Sequence, residues 1–147
     1  MNLKFKTEVS SDLERVKQGF DRSLFLQLKP PLIQLVLDRF DGCKVGDEIH
    51  LRVGIPGVLQ TWVSRITFHH LDEDSWIFVD EGNPLPFPIR QWRHHHGVRR
   101  LASGGAEISD EISYSCGNRV LDLLILGPLW LSFAGRASVY RRVFGRN

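Results

Sequence analysis

Repeated alternation of apolar and polar side chains, from Leu32 to Ser115, is the feature that most constrains the fold of this chain. Ile33, Leu35 and Leu37 recur at every second position, and the turn residues Asp41–Gly42 follow them. A period of two that is bounded by Gly, Asp or Pro is typical of β-strands. Because the connections between such runs are short, we expect an antiparallel meander rather than alternating strands and helices.

The same pattern extends over most of the chain. Further strands are predicted at residues 3–7, 49–53, 59–70, 75–81, 89–101 and 106–115. Ser11–Asp12 offers an N-cap for a short helix that ends near Gly19. Residues 24–28 show no clear pattern, and Pro30–Pro31 ends whatever they form.

The C-terminal segment has a helical period instead. Its apolar residues are spaced three or four apart, at Leu123, Leu126, Trp130, Phe133, Ala137, Tyr140 and Phe144. They predict a helix about 35 Å long, with Asn118 as its N-cap. Pro128 predicts a kink or a restart, since proline cannot donate the backbone hydrogen bond. The nearly apolar stretch 120–134 is roughly 15 residues long, shorter than a membrane span of about 20, which favours a buried core helix.

A sheet and a helix that each have one apolar face bury those faces together. The fold class is therefore predicted to be α+β, a curved antiparallel sheet wrapped around a long C-terminal α-helix, in one domain over residues 1–147. Strands of roughly ten residues or more twist and coil, so a curled sheet closed by one helix can leave space for a small molecule.

Composition narrows the possible partners and the compartment. The net charge of +2, without a basic patch rich in aromatic residues, argues against nucleic-acid binding. The two cysteines, Cys43 and Cys116, favour a reducing compartment, and residues 1–9 do not resemble a signal peptide. We therefore expect a cytoplasmic protein that is a monomer or a weak dimer.

Arginines follow the apolar part of the C-terminal helix, at positions 136, 141, 142 and 146. Positive charge is favourable at the C-terminal end of a helix, so solvation of this end explains them. A transient contact with a membrane surface is the alternative.

Titratable residues on the apolar side of the strands are the most informative ones. Read at period two, four of them share a face with aromatic side chains: Asp80 with Phe78, His94 and His96 with Trp92, and Asp110 with Tyr114. Trp62, Ile66 and Phe68 are predicted on the inner face of their own strand, and His69 on the outer face.

Burying an unpaired charge is costly, so these four polar groups should pair with one another or face a ligand or water. A structural or ligand-orienting role is the leading interpretation. The first alternative is an acid–base couple formed by His94 and Asp110 in an apolar cavity.

Metal binding is the second alternative. His94-x-His96 on a strand places two imidazoles on one side, as in several β-barrel metal sites. Metal-binding cupins follow such a pair with a Glu a few residues later, but Arg99 and Arg100 occupy that stretch here. The third ligand would have to be Asp80, Asp110 or His70, so the sequence predicts no metal and no cofactor.

Other catalytic signatures are missing from the sequence. It contains no G-x-S-x-G elbow, no P-loop, no G-x-G-x-x-G and no C-x-x-C motif. Cys43 adjoins a turn glycine and has no evident histidine partner, so no nucleophilic role is expected for it.

Several motifs taken in order resemble the START-like SRPBCC superfamily, and most closely its bacterial cyclase/dehydrase-like ligand-binding branch. The similarity covers nearly the whole chain. The motifs are Gly42…Gly46, Trp62 to Ile66, Phe78-Val79-Asp80-Glu81, Trp92-Arg93-His94-x-His96, Asp110-x-Ile112-x-Tyr114 and Tyr140-Arg141-Arg142.

The resemblance implies a helix-grip fold, with two short helices after the first strand and a cavity for a lipid, a polyketide or a similar molecule. It implies that the cavity is lined by Trp62, Phe78, Asp80, Trp92, His94, His96, Asp110, Tyr114, Trp130 and Phe133. The chain departs from the family pattern in two places. Residues 24–31 lack a clear second helix, and Gly127–Pro128 interrupts the closing helix.

The leading functional hypothesis is a non-catalytic protein that binds or carries a hydrophobic small molecule, with the four polar residues orienting its polar head. One alternative is a polyketide cyclase or dehydratase that uses His94 and Asp110 as a proton-transfer couple. The other alternative is a protein-interaction domain with a packed core.

Overall fold

The computed structural model describes residues 1–31 and 33–146. Leu32, where the predicted run of strands begins, and Asn147 lie outside the described residues. The strands are β1 (Asn2–Val9), β2 (Gln34–Phe40), β3 (Glu48–Ile55), β4 (Val58–Leu71), β5 (Ser75–Gly82), β6 (Gln91–Arg100) and β7 (Ala106–Ser115). The helices are α1 (Leu13–Gly19), α2 (Arg22–Gln27), α3 (Arg119–Ala134) and α4 (Arg136–Phe144).

All seven strands form one antiparallel sheet in the order β1-β7-β6-β5-β4-β3-β2. The meander from β2 to β7 confirms the prediction from short connections. β1 pairs with β7, from Asn2 opposite Ser113 to Val9 opposite Ala106. The connection through α1 and α2 therefore carries the chain from one edge of the sheet to the other.

Two capped helices fill this connection. The Asp12 side chain accepts a hydrogen bond from the Arg15 amide and begins α1, as the sequence predicted. Asp21 does the same for α2 through the Leu24 amide. The second short helix that the family pattern requires is therefore present. Residues 24–28 show no helical period because α2 is only six residues long, which is too short for a repeat to be visible.

The C-terminal helix is interrupted at Gly135 and not at Pro128. Pro128 lies inside α3, where it deprives the fourth preceding carbonyl of its donor but leaves the helix continuous. Gly135 separates α3 from α4, and its amide reaches the Leu131 carbonyl only at 3.4 Å. The prediction of a restart at Pro128 is thus wrong. The α4 segment places Tyr140 and Phe144 in the core.

The outward face of α3 is apolar and exposed. Phe133 is the buried residue of this helix, whereas the exposed fractions of Leu124 and Trp130 are 65% and 54%. The expectation of a buried core helix is therefore correct for only one side of α3. By length and composition alone, Arg119–Phe144 could cross a membrane, and a single helix of this kind is weak evidence of a span.

A bulge in β4 reverses one sequence prediction. The β4–β5 register shifts between Ile66 and Phe68, so that Phe68 lies opposite Val79 and His69 opposite Phe78. Phe68 is 48% exposed, and the His69 ring accepts a hydrogen bond from Trp76 Nε1 at 3.1 Å. The predicted faces of Phe68 and His69 are therefore wrong, because one extra residue in a strand inverts the alternation after it.

Buried apolar side chains form three clusters in the described part of the chain. One joins α1 and α4 to the middle of the sheet through Phe144 and its neighbours. A second joins α3 to β6 and β7 around Trp92 and Phe133. The third lies on β2 and β3 around Leu51, beneath Phe25 of α2. Side chains do not fill the space between the second and third clusters.

Candidate functional site

A cavity of about 320 Å³ occupies this space, between α3 and the inner face of the sheet. Its walls are mostly apolar and come from α2, α3, the strands β2 to β6 and the Pro86–Pro88 loop. Phe87 lines the cavity and is 77% exposed, so the mouth lies beside this loop.

Seven of the ten residues assigned to the cavity from the sequence line it. They are Trp62, Phe78, Asp80, Trp92, His94, His96 and Phe133. Strand pairing explains this convergence, because Asp80 of β5 lies opposite His94 of β6, and Phe78 lies opposite His96. Alternation along each strand then points all of these side chains toward the helices.

Trp130 does not line the cavity. It lies on the outward side of α3, and the cavity side of this helix is formed by Ile125, Leu129, Ser132 and Phe133. This placement corrects the assignment made from the family resemblance. Almost every residue of α3 is apolar, so spacing alone could not identify the face that turns inward.

Tyr114 is buried on the same face of the sheet but has a structural contact instead. Its hydroxyl donates to the Asp122 carbonyl at 2.7 Å, and the Asp122 carboxylate accepts from the Cys116 amide at 2.6 Å. These bonds fasten the end of β7 to the first turn of α3. Tyr114 is therefore placed outside the cavity.

Four polar side chains form one buried cluster at the inner end of the cavity. His94 Nε2 lies 2.9 Å from Asp110 Oδ1, and His96 Nε2 lies 3.2 Å from Asp80 Oδ2. The remaining ring nitrogens make the complementary contacts: His94 Nδ1 is 3.5 Å from Asp80, and His96 Nδ1 is 3.4 Å from Asp110. Each imidazole thus lies between two carboxylates.

Asp110 lies behind the histidines and does not line the cavity. It also contacts Arg136 Nη1 at 3.3 Å and the Tyr140 hydroxyl at 3.2 Å, both from α4. This carboxylate therefore joins β6, β7 and the C-terminal helix.

Arg136 is a site residue that the sequence interpretation missed. Its place near the end of the helix predicts a solvated side chain, but Arg136 lines the cavity, its guanidinium carbon lies 3.9 Å from the centre of the Phe133 ring, and its Nη1 bonds to Asp110. The sequence feature that indicates this role is the position of Arg136, three residues after Phe133 and four before Tyr140. This spacing places Arg136 on the face of the helix that turns inward. Its Nε is buried and finds no hydrogen-bond partner among the described residues.

Ser64 is the second residue that was missed. Its hydroxyl donates to Asp80 Oδ1 at 2.8 Å and accepts from Trp62 Nε1 at 3.2 Å. Trp92 Nε1 also donates to Asp80 Oδ1, at 3.3 Å. Ser64 lies at period two between Trp62 and Ile66, so its inward direction could have been deduced from the strand pattern.

The two imidazoles have opposite pKa shifts. Burial, reinforced by the positive charge of neighbouring His96, lowers the pKa of His94 to about 4, so its ring is neutral at neutral pH. Burial also acts to lower the pKa of His96, but the carboxylates of Asp110 and Asp80 outweigh it and raise that pKa above its usual value.

Both carboxylates remain ionised. Burial acts to raise the pKa of Asp110, but bonds from His94 and His96 and the charge of Arg136 hold it well below its usual value. The pKa of Asp80 is lowered in the same way, against its burial, by His96 and His94. Arg136 and a protonated His96 can therefore balance two buried negative charges.

The cavity also contains a thiol, that of Cys43. Burial, and then the negative charges of Asp47 and Asp80, raise its pKa to about 12. The thiolate is the reactive form of cysteine, and a pKa in this range leaves almost none of it at neutral pH. The structure supports the interpretation that Cys43 is not a nucleophile.

Asp80, His94 and His96 could together hold a metal ion, since one donor atom from each lies within 4.8 Å of the others. His70, also considered from the sequence, bonds to Asp72 near the β4–β5 turn and does not join them. The chemistry available to the cluster is therefore polar recognition, proton exchange or metal coordination.

No protein-family model matches this chain, and no curated protein matches it in sequence. Solved structures do match it. A protein from Chromobacterium violaceum is 15% identical with a TM-score of 0.64, and the match covers 99% of this chain and 98% of that one. Ara h 8.0201 is 10% identical with a TM-score of 0.59, and the match covers 97% of each chain.

The di-domain ARO/CYC BexL from the BE-7585A biosynthetic pathway is 11% identical with a TM-score of 0.65. That match covers 97% of this chain and 45% of BexL. Similarity at this level of identity concerns the fold alone. It shows that the chain has the helix-grip fold, as the sequence predicted.

The buried cluster predicts that substitutions on the two faces of β7 differ in their effect on the stability of the protein. Replacing Asp110 by Asn leaves the largely buried guanidinium of Arg136 without its carboxylate partner, so we expect the free energy of unfolding to fall by about 3–5 kcal/mol. Glu111→Gln, on the opposite face, removes only a surface ion pair with Lys4 and should cost less than about 1 kcal/mol. Urea denaturation at neutral pH measures both, and equal losses in the two variants would contradict the assignment.

Proposed function

We propose that this protein binds a hydrophobic small molecule that carries one polar group, within the cavity between the sheet and α3. The observation that carries the proposal is an apolar cavity of about 320 Å³ with a polar cluster at one end. Ligand sites in proteins typically have about 300–1,000 Å³, with a few polar groups that fix the orientation of the ligand. Apolar contact would supply the affinity, and the polar end would supply specificity.

The polar group of the ligand would lie at the inner end of the cavity, where Asp80, His94, His96 and Arg136 are part of the lining. A carbonyl, hydroxyl or carboxylate oxygen of the ligand would be stabilised there by the positive charge of Arg136. Two other polar side chains of the lining are already engaged, because Asp21 caps α2 and Gln60 bonds to the Phe87 amide.

The cavity argues against an interaction domain with a packed core. That hypothesis requires large inner side chains to fill the interior. The aromatic residues pack against one another along the wall instead. Trp62 meets Trp92 edge-on with centroids 4.7 Å apart, and Phe78 stacks on His96 at 4.3 Å.

Filling the cavity tests the proposal. Leu129→Trp adds bulk on the cavity side of α3, whereas Leu124→Trp adds the same side chain to the exposed side of this helix. We expect Leu129→Trp to weaken binding of an anthroyloxy-labelled stearic acid by about tenfold or more, or about 1.4 kcal/mol, and Leu124→Trp to leave it unchanged. Fluorescence titration measures the affinities.

Native mass spectrometry of the freshly purified protein makes the test independent of the probe. A defined extra mass that is lost on denaturation, and is diminished in Leu129→Trp, would identify the class of ligand. Equal fatty-acid binding by all three proteins, with no retained mass in any of them, would contradict the proposal.

A polyketide cyclase or dehydratase reaction in the same cavity is the second candidate function. It is favoured by the position of the imidazole of His94 at the cavity wall, with Asp110 behind it at 2.9 Å. Such a pair can move protons while the cavity holds a reactive chain folded. BexL, whose name includes ARO/CYC, matches this chain in fold only.

This candidate predicts that His94→Gln abolishes turnover of a poly-β-keto substrate, whereas His95→Gln, on the outer face of the same strand, keeps it. Product analysis by liquid chromatography measures both rates, and circular dichroism verifies the fold. Full turnover in His94→Gln and in a folded His94→Gln/Asp110→Asn double variant would exclude the acid–base role.

A transient contact with a membrane surface is also part of the proposal. Val120, Leu123, Leu124, Trp130 and Leu131 are each at least half exposed, on the side of α3 that faces away from the cavity. Apolar patches of this kind are uncommon on soluble monomers, and helices at lipid interfaces combine them with basic residues. Arg119 begins this helix, and Arg141 and Arg142 end α4.

Vesicle sedimentation tests this contact. We expect the protein to co-sediment with phosphatidylglycerol vesicles, and the double variant Leu124→Glu/Trp130→Glu to remain in solution. Phe68→Glu/Leu71→Glu, which places the same two charges at other exposed apolar positions, should still sediment. If the double variant instead abolishes a dimer seen by sedimentation velocity, without any vesicle binding, the face mediates self-association.

A further inference from the structure

We propose that Asp80, His94 and His96 bind one divalent transition-metal ion, with Asp110 orienting both imidazoles from behind. The sequence disfavoured a metal because the strand that carries the histidines supplies no third ligand. The structure brings that ligand from the neighbouring strand, since Asp80 of β5 lies opposite His94 of β6. The inference does not depend on an apolar ligand in the cavity.

Two of the three distances between the donor atoms match those found around a metal ion, and all three donors lie within 4.8 Å of one another. Asp80 Oδ2 is 3.5 Å from His94 Nδ1 and 3.2 Å from His96 Nε2. Ligand atoms that lie about 2.1 Å from a tetrahedral ion are about 3.4 Å apart. An ion could therefore replace these two direct contacts without a change in the course of either strand.

The opposite side of each imidazole has the partner that a metal-binding histidine needs. His94 Nε2 lies 2.9 Å and His96 Nδ1 lies 3.4 Å from the same oxygen, Oδ1 of Asp110. A carboxylate on the distal nitrogen fixes the tautomer, so that the near nitrogen presents its lone pair to the metal. A single carboxylate thus orients both rings.

Asp80 is oriented in the same manner. The hydroxyl of Ser64 and the indole N–H of Trp92 both donate to its Oδ1, at 2.8 and 3.3 Å. Its Oδ2 is left to face the two imidazoles. All three ligands therefore have one atom held by a neighbouring side chain and another directed at a shared point.

Charge also favours a cation at this point. Two buried carboxylates, Asp80 and Asp110, face one permanently charged group, the guanidinium of Arg136. Buried carboxylates are stabilised by pairing with a positive charge or by coordinating a metal. Arg136 does not contact Asp80, whose counter-charge is His96 when that ring is protonated, and a bound ion would take the place of that proton.

The donor set selects the class of metal. Two imidazoles and one carboxylate suit Zn²⁺, Fe²⁺ or Co²⁺, whereas Ca²⁺ and Mg²⁺ prefer oxygen ligands. Asp80, His94 and His96 all line the cavity, so positions not taken by protein would open toward it. Three protein ligands with an open position are typical of metals that bind a water or a substrate oxygen.

Metal titration of the purified protein tests the site. After dialysis against a chelator, we expect one equivalent of Zn²⁺ to bind in calorimetry and Co²⁺ to develop visible absorption bands. His96→Gln should weaken binding by roughly 100-fold or more, and Asp110→Asn by about 10–100-fold. His95→Gln, on the outer face of the same strand, should bind like the unchanged protein.

X-ray absorption of the Zn²⁺-loaded, unsubstituted protein gives a readout that does not depend on the folding of any variant. Two imidazoles in the zinc shell are the expected result. A folded protein that takes up no Zn²⁺ or Co²⁺, a zinc shell without two imidazoles, or binding lost only in His70→Gln would each overturn the proposal.

Discussion

Two carboxylates, Asp80 and Asp110, are buried in the centre of an otherwise apolar sheet, and the need to neutralise them organises the surrounding structure. Ionised groups in such a place require several partners, because burial by itself would raise their pKa. The partners come from every element nearby. Ser64 and Trp92 bond to Asp80, Arg136 and Tyr140 bond to Asp110, and the two imidazoles lie between the carboxylates. The cluster therefore fixes the register of β5, β6 and β7 and the position of α4.

The same cluster explains why the helix leaves a cavity. Hydrogen bonds from Arg136 and Tyr140 to Asp110 hold α4 against the middle of the sheet, where Phe144 is part of the core. The α3 segment, on the other side of Gly135, packs on β6 and β7 through Phe133. It does not reach the Leu51 cluster on β2 and β3. The unfilled volume thus lies between α3, which is held to the sheet near both of its ends, and the part of the sheet that this helix does not cover.

Apolar walls and a charged inner end give the cavity two different properties. The walls favour any molecule of suitable shape, because burial of apolar area has no direction. For the proposed ligand the inner end would supply the selectivity, since hydrogen bonds hold His94, His96 and Arg136 in fixed positions. A rigid cluster is suitable for ligand recognition, for proton transfer and for metal coordination. The same residues are therefore compatible with all three kinds of chemistry. The exposed side of α3 adds an apolar surface to the outside of the same helix.

The sequence by itself determined the antiparallel meander, the N-caps Asp12 and Asn118, and the inward direction of Asp80, His94, His96 and Asp110. These features follow from local rules, since alternation and capping depend on residues close in the chain. The bulge after Ile66, the break at Gly135 and the inward turn of Arg136 were decided by tertiary structure. The face of α3 that lines the cavity was decided there too, because so many of its residues are apolar that a spacing of three and four fits more than one face. Sequence patterns report which side of a strand is apolar. Only packing among distant elements decides where a strand bulges, where a helix breaks and which space stays empty.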